Sequence, residues 1–214
     1  MKSKKLILFQ FILFIGLVVT HFTNIQAQIN SVLDTTPVHT AGNTALGTII
    51  GVAVGGATGA VIGHHMDLQA EELKLALPYA NVERVGEGIV IEMNNKILFG
   101  FDKSKLTKEA KISLGKLNSI FKKYPDTNIE VQGHTDNDGT IKYNQALSLR
   151  RASAVMGNLS ENDLPTSRLT FKGYGETLPK YTNKTVAGHA KNRRVEFLVS
   201  ANPKMIADAA AEAK

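Results

Sequence analysis

A run of nearly unbroken apolar character, Leu6 to Val19, lies just behind Lys2, Lys4 and Lys5, interrupted only by Gln10 and Gly16. Its 14 residues fall short of the ~20 a spanning helix needs. Polar His21 and Asn24 follow before Ala27, so residues 1–27 read as an export signal cut after Ala27. Ile25 stands where such sites carry a small residue, which leaves an uncleaved anchor as the second reading. Residues 28–40 read as a linker.

From 41 to 66 the pattern changes. Seven of the chain's 18 glycines fall here, and no Asp, Glu, Lys or Arg occurs between Asp34 and Asp67. Gly47, Gly51, Gly55, Gly59 and Gly63 are spaced four apart. In water each glycine costs a helix about 1 kcal/mol against alanine. In a bilayer the same spacing opens a groove for close backbone approach, with Ile49, Ile50, Val52, Val54, Val61 and Ile62 facing lipid or neighbours. Residues 45–63 would span roughly 28 Å at 1.5 Å per residue. The expectation is a membrane-embedded or self-packing helical segment, as one helix or as a hairpin turning at Gly55-Gly56. A flexible linker would be Ser-rich and would lack the interleaved Val and Ile.

Residues 67–81 read as an amphipathic connector, with Leu68, Leu73 and Leu77 among acids and Pro78 ending the helix. Beyond it the periods alternate between 2 and 3.6. Ile89 to Met93 predicts a strand and Phe99 to Asp102 a loop. Thr107 caps a helix carrying Leu114, Leu117, Phe121 and Tyr124, and Pro125 closes it. Ile129 and Val131 alternate with Asn128, Glu130 and Gln132, a strand with one buried face. A second helix near 141–160 turns Leu149, Ala152, Met156 and Leu159 to the core, and Leu169 to Phe171 and Val195 to Val199 add two strands. The order β-α-β-α-β-β over 82–200 predicts an α+β sandwich with helices on one side of a mixed sheet. Residues 201–214 read as an exposed tail helix.

Composition narrows the classes. A mean hydropathy of −0.08 with 21% charged residues fits neither a polytopic membrane protein nor a disordered chain. The absence of cysteine excludes disulfides, thiolate zinc sites, a cysteine nucleophile and an acylated N-terminal cysteine. The net charge of +6 falls to +3 once residues 1–27 are removed, leaving 22 basic against 19 acidic residues, which does not argue for nucleic acid.

The densest polar cluster is the turn Gly133-His134-Thr135-Asp136-Asn137-Asp138-Gly139 and the helix behind it. Asn144 and Arg151 are seven residues apart, within about 20° on one helical face, with Ser148 between them. Asp136 and Arg151 brought together form either a structural salt bridge or a dipolar clamp that takes an ammonium at one end and a carboxylate at the other. Spacing alone does not choose. His134 beside Asp136 has no serine or cysteine nucleophile to serve and reads as a brace for the turn. Asp136-x-Asp138-Gly139 begins like a calcium loop, but the twelfth position is Leu147 and the glycine falls at the fourth. His64 and His65, adjacent on a helix, point about 100° apart and make a poor metal pair. Neither apolar segment holds the carboxylate that an ion-driven stator requires.

Together, Gly133-His134-Thr135-Asp136-x-x-Gly139, Tyr143-Asn144-x-x-Leu147-Ser148-x-x-Arg151-Ala152, Gly173-Tyr174-Gly175-Glu176-x-x-Pro179, Asn183-x-Thr185-x-x-Gly188 and Asn192-Arg193-Arg194-Val195 resemble the OmpA/MotB-type peptidoglycan-binding domain. The glycine-rich segment is similar to the glycine-zipper, YiaD-like subgroup. The resemblance implies non-covalent capture of meso-diaminopimelate in the peptidoglycan stem, without an enzyme activity, cofactor or metal. By position Asp136 takes the ammonium and Arg151 the carboxylate, Thr135 and Asn144 add hydrogen bonds, and Arg194 or Arg193 closes the pocket. Backbone around Gly100 completes it. Gly100 replaces a frequent Asp, and His189 a frequent Arg at the pocket rim. The implied protein sits in the outer membrane with its C-terminal domain in the periplasm, able to form homo-oligomers through the zipper. A wall-active hydrolase, or a zipper-built pore merely tethered by the domain, are the alternatives.

Overall fold

The computed structural model describes residues 56–100 and 102–214. The expected signal, the linker and Gly47, Gly51 and Gly55 lie outside them. The first described element is a helix, α1 (Gly56–Ala76), followed by strands β1 (Asn81–Val85) and β2 (Gly88–Asn94) and a single helical turn, α2 (Asn95–Leu98). Helix α3 (Lys108–Lys123), strand β3 (Thr127–His134), helix α4 (Ile141–Glu161) and strand β4 (Leu169–Gly175) come next. Helix α5 (Val186–Asn192), strand β5 (Arg194–Ala201) and helix α6 (Pro203–Glu212) complete the fold.

The five strands form one sheet in the order β1-β2-β5-β3-β4. All neighbours are antiparallel except β3 and β4, which pair in parallel through the α4 crossover. The expected α+β sandwich is therefore present. Ile89, Ile91 and Met93 of β2, Ile129 and Val131 of β3, and Val195, Phe197 and Val199 of β5 turn to the helices. They meet Leu114, Leu117 and Phe121 of α3 and Ala152, Val155 and Leu159 of α4. The helix starts follow side-chain caps: Thr107 accepts from the Ala110 N–H, Thr140 from Tyr143, Thr185 from Gly188 and Asn202 from Met205.

Several sequence expectations change. The boundary drawn at 66/67 falls inside α1, a continuous helix whose Ile62, Met66, Ala70 and Leu73 are buried in the domain core. Ile62 was expected to face lipid or a neighbour; the 3.6-residue stripe it shares with Met66 and Leu73 puts it in the domain core instead. Gly63 is met by Arg84 of β1, whose Nη2 lies 3.5 Å from the Gly63 carbonyl. Among the described residues no helix is long and apolar enough to cross a membrane. The tail helix α6 is not simply exposed, because Met205 and Ala209 are buried and the helix packs on α1. Nor does β3 have one wet face: Glu130 and Gln132 are buried, with Gln132 Nε2 donating to Glu130 Oε1 at 2.7 Å and Lys172 pairing with Glu130 at 3.0 Å.

Candidate functional site

Strand β3 delivers the polar turn and α4 supplies the wall behind it. The two come unusually close because glycines line the contact. A Cβ on Gly133 would lie 2.2 Å from the Ser148 carbonyl oxygen, and one on Gly173 would lie 2.5 Å from the Leu149 nitrogen. Ser148 Oγ accepts the Gly175 N–H at 2.8 Å and donates to the Gln145 carbonyl at 2.9 Å. This seam sets the height of Asn144 and Arg151 over the turn.

The turn is held from within. Thr135 Oγ1 donates to the Asp136 carbonyl at 2.8 Å, and its N–H reaches the Gly175 carbonyl at 2.9 Å. The Asp138 N–H donates to Asp136 Oδ1 at 3.3 Å, and Gly139 takes a left-handed φ of 105° to turn the chain into α4. Asn144 Nδ2 donates to the carbonyls of Asp136 and Asp138, at 3.3 and 3.1 Å, and to Glu176 Oε2 at 2.5 Å. Thr135 and Asn144 thus organise the backbone around Asp136.

Asp136 itself is buried, at 4% exposure, and its Oδ2 faces two cationic or protonatable groups. Arg193 Nη1 donates to it, and His189 Nδ1 stands 3.3 Å away. The same His189 nitrogen lies 3.5 Å from Asp138 Oδ2. The other ring nitrogen, Nε2, is 2.6 Å from the Asn183 carbonyl.

Arg151, the other expected half of the clamp, is buried beside the loop after α2. Its Nε donates to the Lys103 carbonyl at 3.0 Å, and its guanidinium lies over the Phe99 ring, 5.4 Å from the centroid. No hydrogen-bond partner for its Nη atoms occurs among the described residues. Burial lowers the Arg151 pKa, and the Asp102 carboxylate opposes that most strongly. A guanidinium stays charged under such shifts. Asp102 holds a left-handed φ of 53° and accepts the Tyr143 hydroxyl at 2.6 Å, a hydrogen bond that raises the tyrosine pKa. Gly100 accepts the Lys103 N–H at 3.1 Å in the turn beneath Arg151.

The two candidate arginines separate cleanly. Arg193 caps α5 and reaches Asp136, whereas Arg194 opens β5 and leaves it for the opposite face of the sheet. There Arg194 Nε pairs with Glu196 Oε1 at 2.7 Å, and its other nitrogens donate to the Asn192 and Leu178 carbonyls, both at 3.3 Å. Arg194 therefore holds the structure together and does not close the pocket. His134 is buried, neither ring nitrogen has a hydrogen-bond partner among the described residues, and it stacks on Tyr174 with centroids 5.4 Å apart. Burial, with Arg194 and Lys180 adding, pushes its pKa well below the ordinary histidine range. Asp138 and Glu176, which fall inside the quoted motifs, and Asp102 also contact these residues.

The OmpA family profile matches residues 98–193. The chain is 34% identical over 134 residues to the outer-membrane lipoprotein YfiB of Pseudomonas aeruginosa, covering 63% of this chain and 79% of that protein. It is 43% identical over 112 residues to outer membrane porin F of Pseudomonas fluorescens, covering 52% of this chain and 34% of the porin. The chain thus spans about a third of the length of such porins. Among solved structures, the cell wall anchor of the T6SS from Pseudomonas aeruginosa superimposes with a TM-score of 0.57 at 27% identity, covering 64% of this chain and 97% of that one.

Proposed function

Because the chain belongs to the OmpA family, we propose that its folded domain binds peptidoglycan non-covalently through the diaminopimelate of the stem peptide and anchors the outer membrane to the wall. The observation that carries this reading is a pair of buried, opposite charges on packed neighbouring elements: the Asp136 carboxylate just after β3 and the Arg151 guanidinium on α4, whose Nη groups have no acceptor among the described residues. A ligand with an ammonium and a carboxylate on one carbon matches that pair. The ammonium competes with Arg193 for Asp136 Oδ2, and the carboxylate takes the Arg151 edge in bidentate fashion. The wall-anchor role of the solved relative supports the same reading.

The pocket offers little to a hydrolase. His134 is sealed in the interior, and among the described residues no serine or threonine hydroxyl near Asp136 is paired with a base; Thr135 and Ser148 are spent on backbone groups. The membrane role of the glycine-rich segment rests on residues before Gly56, with Gly47, Gly51 and Gly55 as its packing positions. Gly51→Leu in native membranes tests it: crosslinked oligomers should weaken, and unchanged bands would return the segment to a linker.

The anchoring assignment is tested by co-sedimentation with purified diaminopimelate-type sacculi. A charged hydrogen bond contributes about 1.5–3 kcal/mol, so Asp136→Ala and Arg151→Ala should each weaken binding at least about tenfold. Sacculi with an amidated or lysine-type stem, which lack the free carboxylate, should bind weakly. Wild-type sedimentation by the double variant would overturn the assignment.

A further inference from the structure

We propose that Asp136, Asp138 and His189 form a binding site for a divalent transition-metal ion, with Zn2+ the best match to its donors. Their ligand atoms all lie within 4.8 Å of one another. The linear reading of the turn missed this set because it counted a calcium loop forward from Asp136, while the third ligand arrives from α5, 53 residues later.

The two ring nitrogens of His189 face different partners. Nε2 is 2.6 Å from the Asn183 carbonyl, an acceptor only, so Nε2 carries the hydrogen and donates. In the neutral ring this leaves the Nδ1 lone pair aimed at carboxylate oxygens of Asp136 and Asp138, at 3.3 and 3.5 Å. Lone pair against anion is repulsive, and the arrangement calls for a cation between them. A proton on Nδ1 or a metal ion meets that requirement. Two ligands on a tetrahedral ion with bonds of about 2.1 Å stand about 3.4 Å apart, which matches both observed separations. A histidine that gives its second N–H to a backbone carbonyl also has the outer-sphere arrangement that fixes the tautomer of metal-bound imidazoles. One imidazole with two carboxylates is the donor set of a borderline ion, softer than calcium or magnesium prefer.

The surrounding charges permit it. Two carboxylates balance the ion, and Arg193, on Asp136 Oδ2, is the cation that has to share that oxygen. Asp138 is largely exposed and free to swing its second oxygen inward, so water completes the coordination. Ion binding itself does not depend on the wall reading. One consequence does rest on it: the ion occupies the Asp136 position assigned to the stem-peptide ammonium, so metal and wall compete.

The test is calorimetric titration of the metal-stripped, full-length protein with ZnCl2 at pH 7.5. One saturable site per chain is expected. His189→Ala and Asp138→Asn should each weaken it at least about tenfold, the latter at an exposed position that leaves the fold intact. A His64→Ala/His65→Ala variant should bind as wild type does. Absence of a saturable site, undiminished binding in His189→Ala, or loss in the His64/His65 variant would each overturn the proposal. The wall reading is scored separately, by sedimentation in chelator: binding to sacculi that persists there but is insensitive to added Zn2+ would remove the competition while leaving the clamp in place.

Discussion

Gly133 lies so close to Ser148 that a Cβ on the glycine would stand 2.2 Å from the serine carbonyl oxygen. The glycine of the Gly-His-Thr-Asp turn is thus a packing device: it lets α4 settle on β3 and bring Asn144 to the Asp136 carbonyl. Gly133→Ala should destabilise the domain by about 3 kcal/mol, the upper end of ordinary overpacking, because both colliding atoms are backbone. Urea denaturation reads this directly, and a midpoint within error of wild type would refute the account.

The neighbouring arginines should behave differently. Removing Arg194 leaves Glu196 buried without its partner, a loss of roughly 3–5 kcal/mol. Arg193→Ala leaves Asp136 the Asp138 N–H, a loss of roughly 1–2 kcal/mol, while changing sedimentation with sacculi. Thermal melts of the two variants should separate clearly. Equal losses would mean that the division between structural and pocket arginine is wrong.

His134 gives the fold an acid sensitivity. Its folded pKa is depressed by burial, so the folded state keeps the ring neutral while the unfolded chain, with a histidine pKa of about 6.5, takes up a proton. This contribution is fully present above about pH 6.5 and is lost as pH falls below it, by up to about 1.4 kcal/mol per pH unit until the depressed folded pKa is reached. His134→Phe keeps a ring against Tyr174 and removes the proton uptake. Denaturation between pH 8 and 4.5 should show a shallower slope for the variant, and parallel curves would contradict the assignment.

Helix α1 belongs to the folded unit. Leu73 is fully buried among core residues, so Leu73→Ala should cost about 2–5 kcal/mol. A loss below 0.5 kcal/mol by chemical denaturation would show that the helix is a detachable lead-in.

What the sequence disclosed was local. Thr107 to Pro125 carries a cap, a stripe and a stop within one stretch, and α3 follows that reading closely. The face shared by Asn144, Ser148 and Arg151 is likewise a matter of helical spacing. Strand β1 escaped notice because Val82-Glu83-Arg84 is an edge strand with charges along it, and α2 and α5, at four and seven residues, are too short to show a period. Glycine composition drew the eye to a boundary at residue 66, although the Ile62, Met66, Leu73 stripe runs through it. The approach of His189 to Asp136, and the parity that sends Arg193 and Arg194 to opposite sides, depend on how β5 enters the sheet between β2 and β3. No spacing within the chain encodes that.

The burial of α1 also determines how the domain answers force. Its 21 residues extend about 31 Å, and the side chains that fasten it run from Ile62 to Leu73, with Leu77 just beyond, instead of clustering at one end. A pull on Gly56 along the helix axis loads these contacts together, in shear. The same pull at right angles strips them one after another, like tape lifted from its end. The joint is consequently strong in one direction and weak in the other, and a tether entering at Gly56 would make the angle of tension, more than its size, decide when the domain gives way.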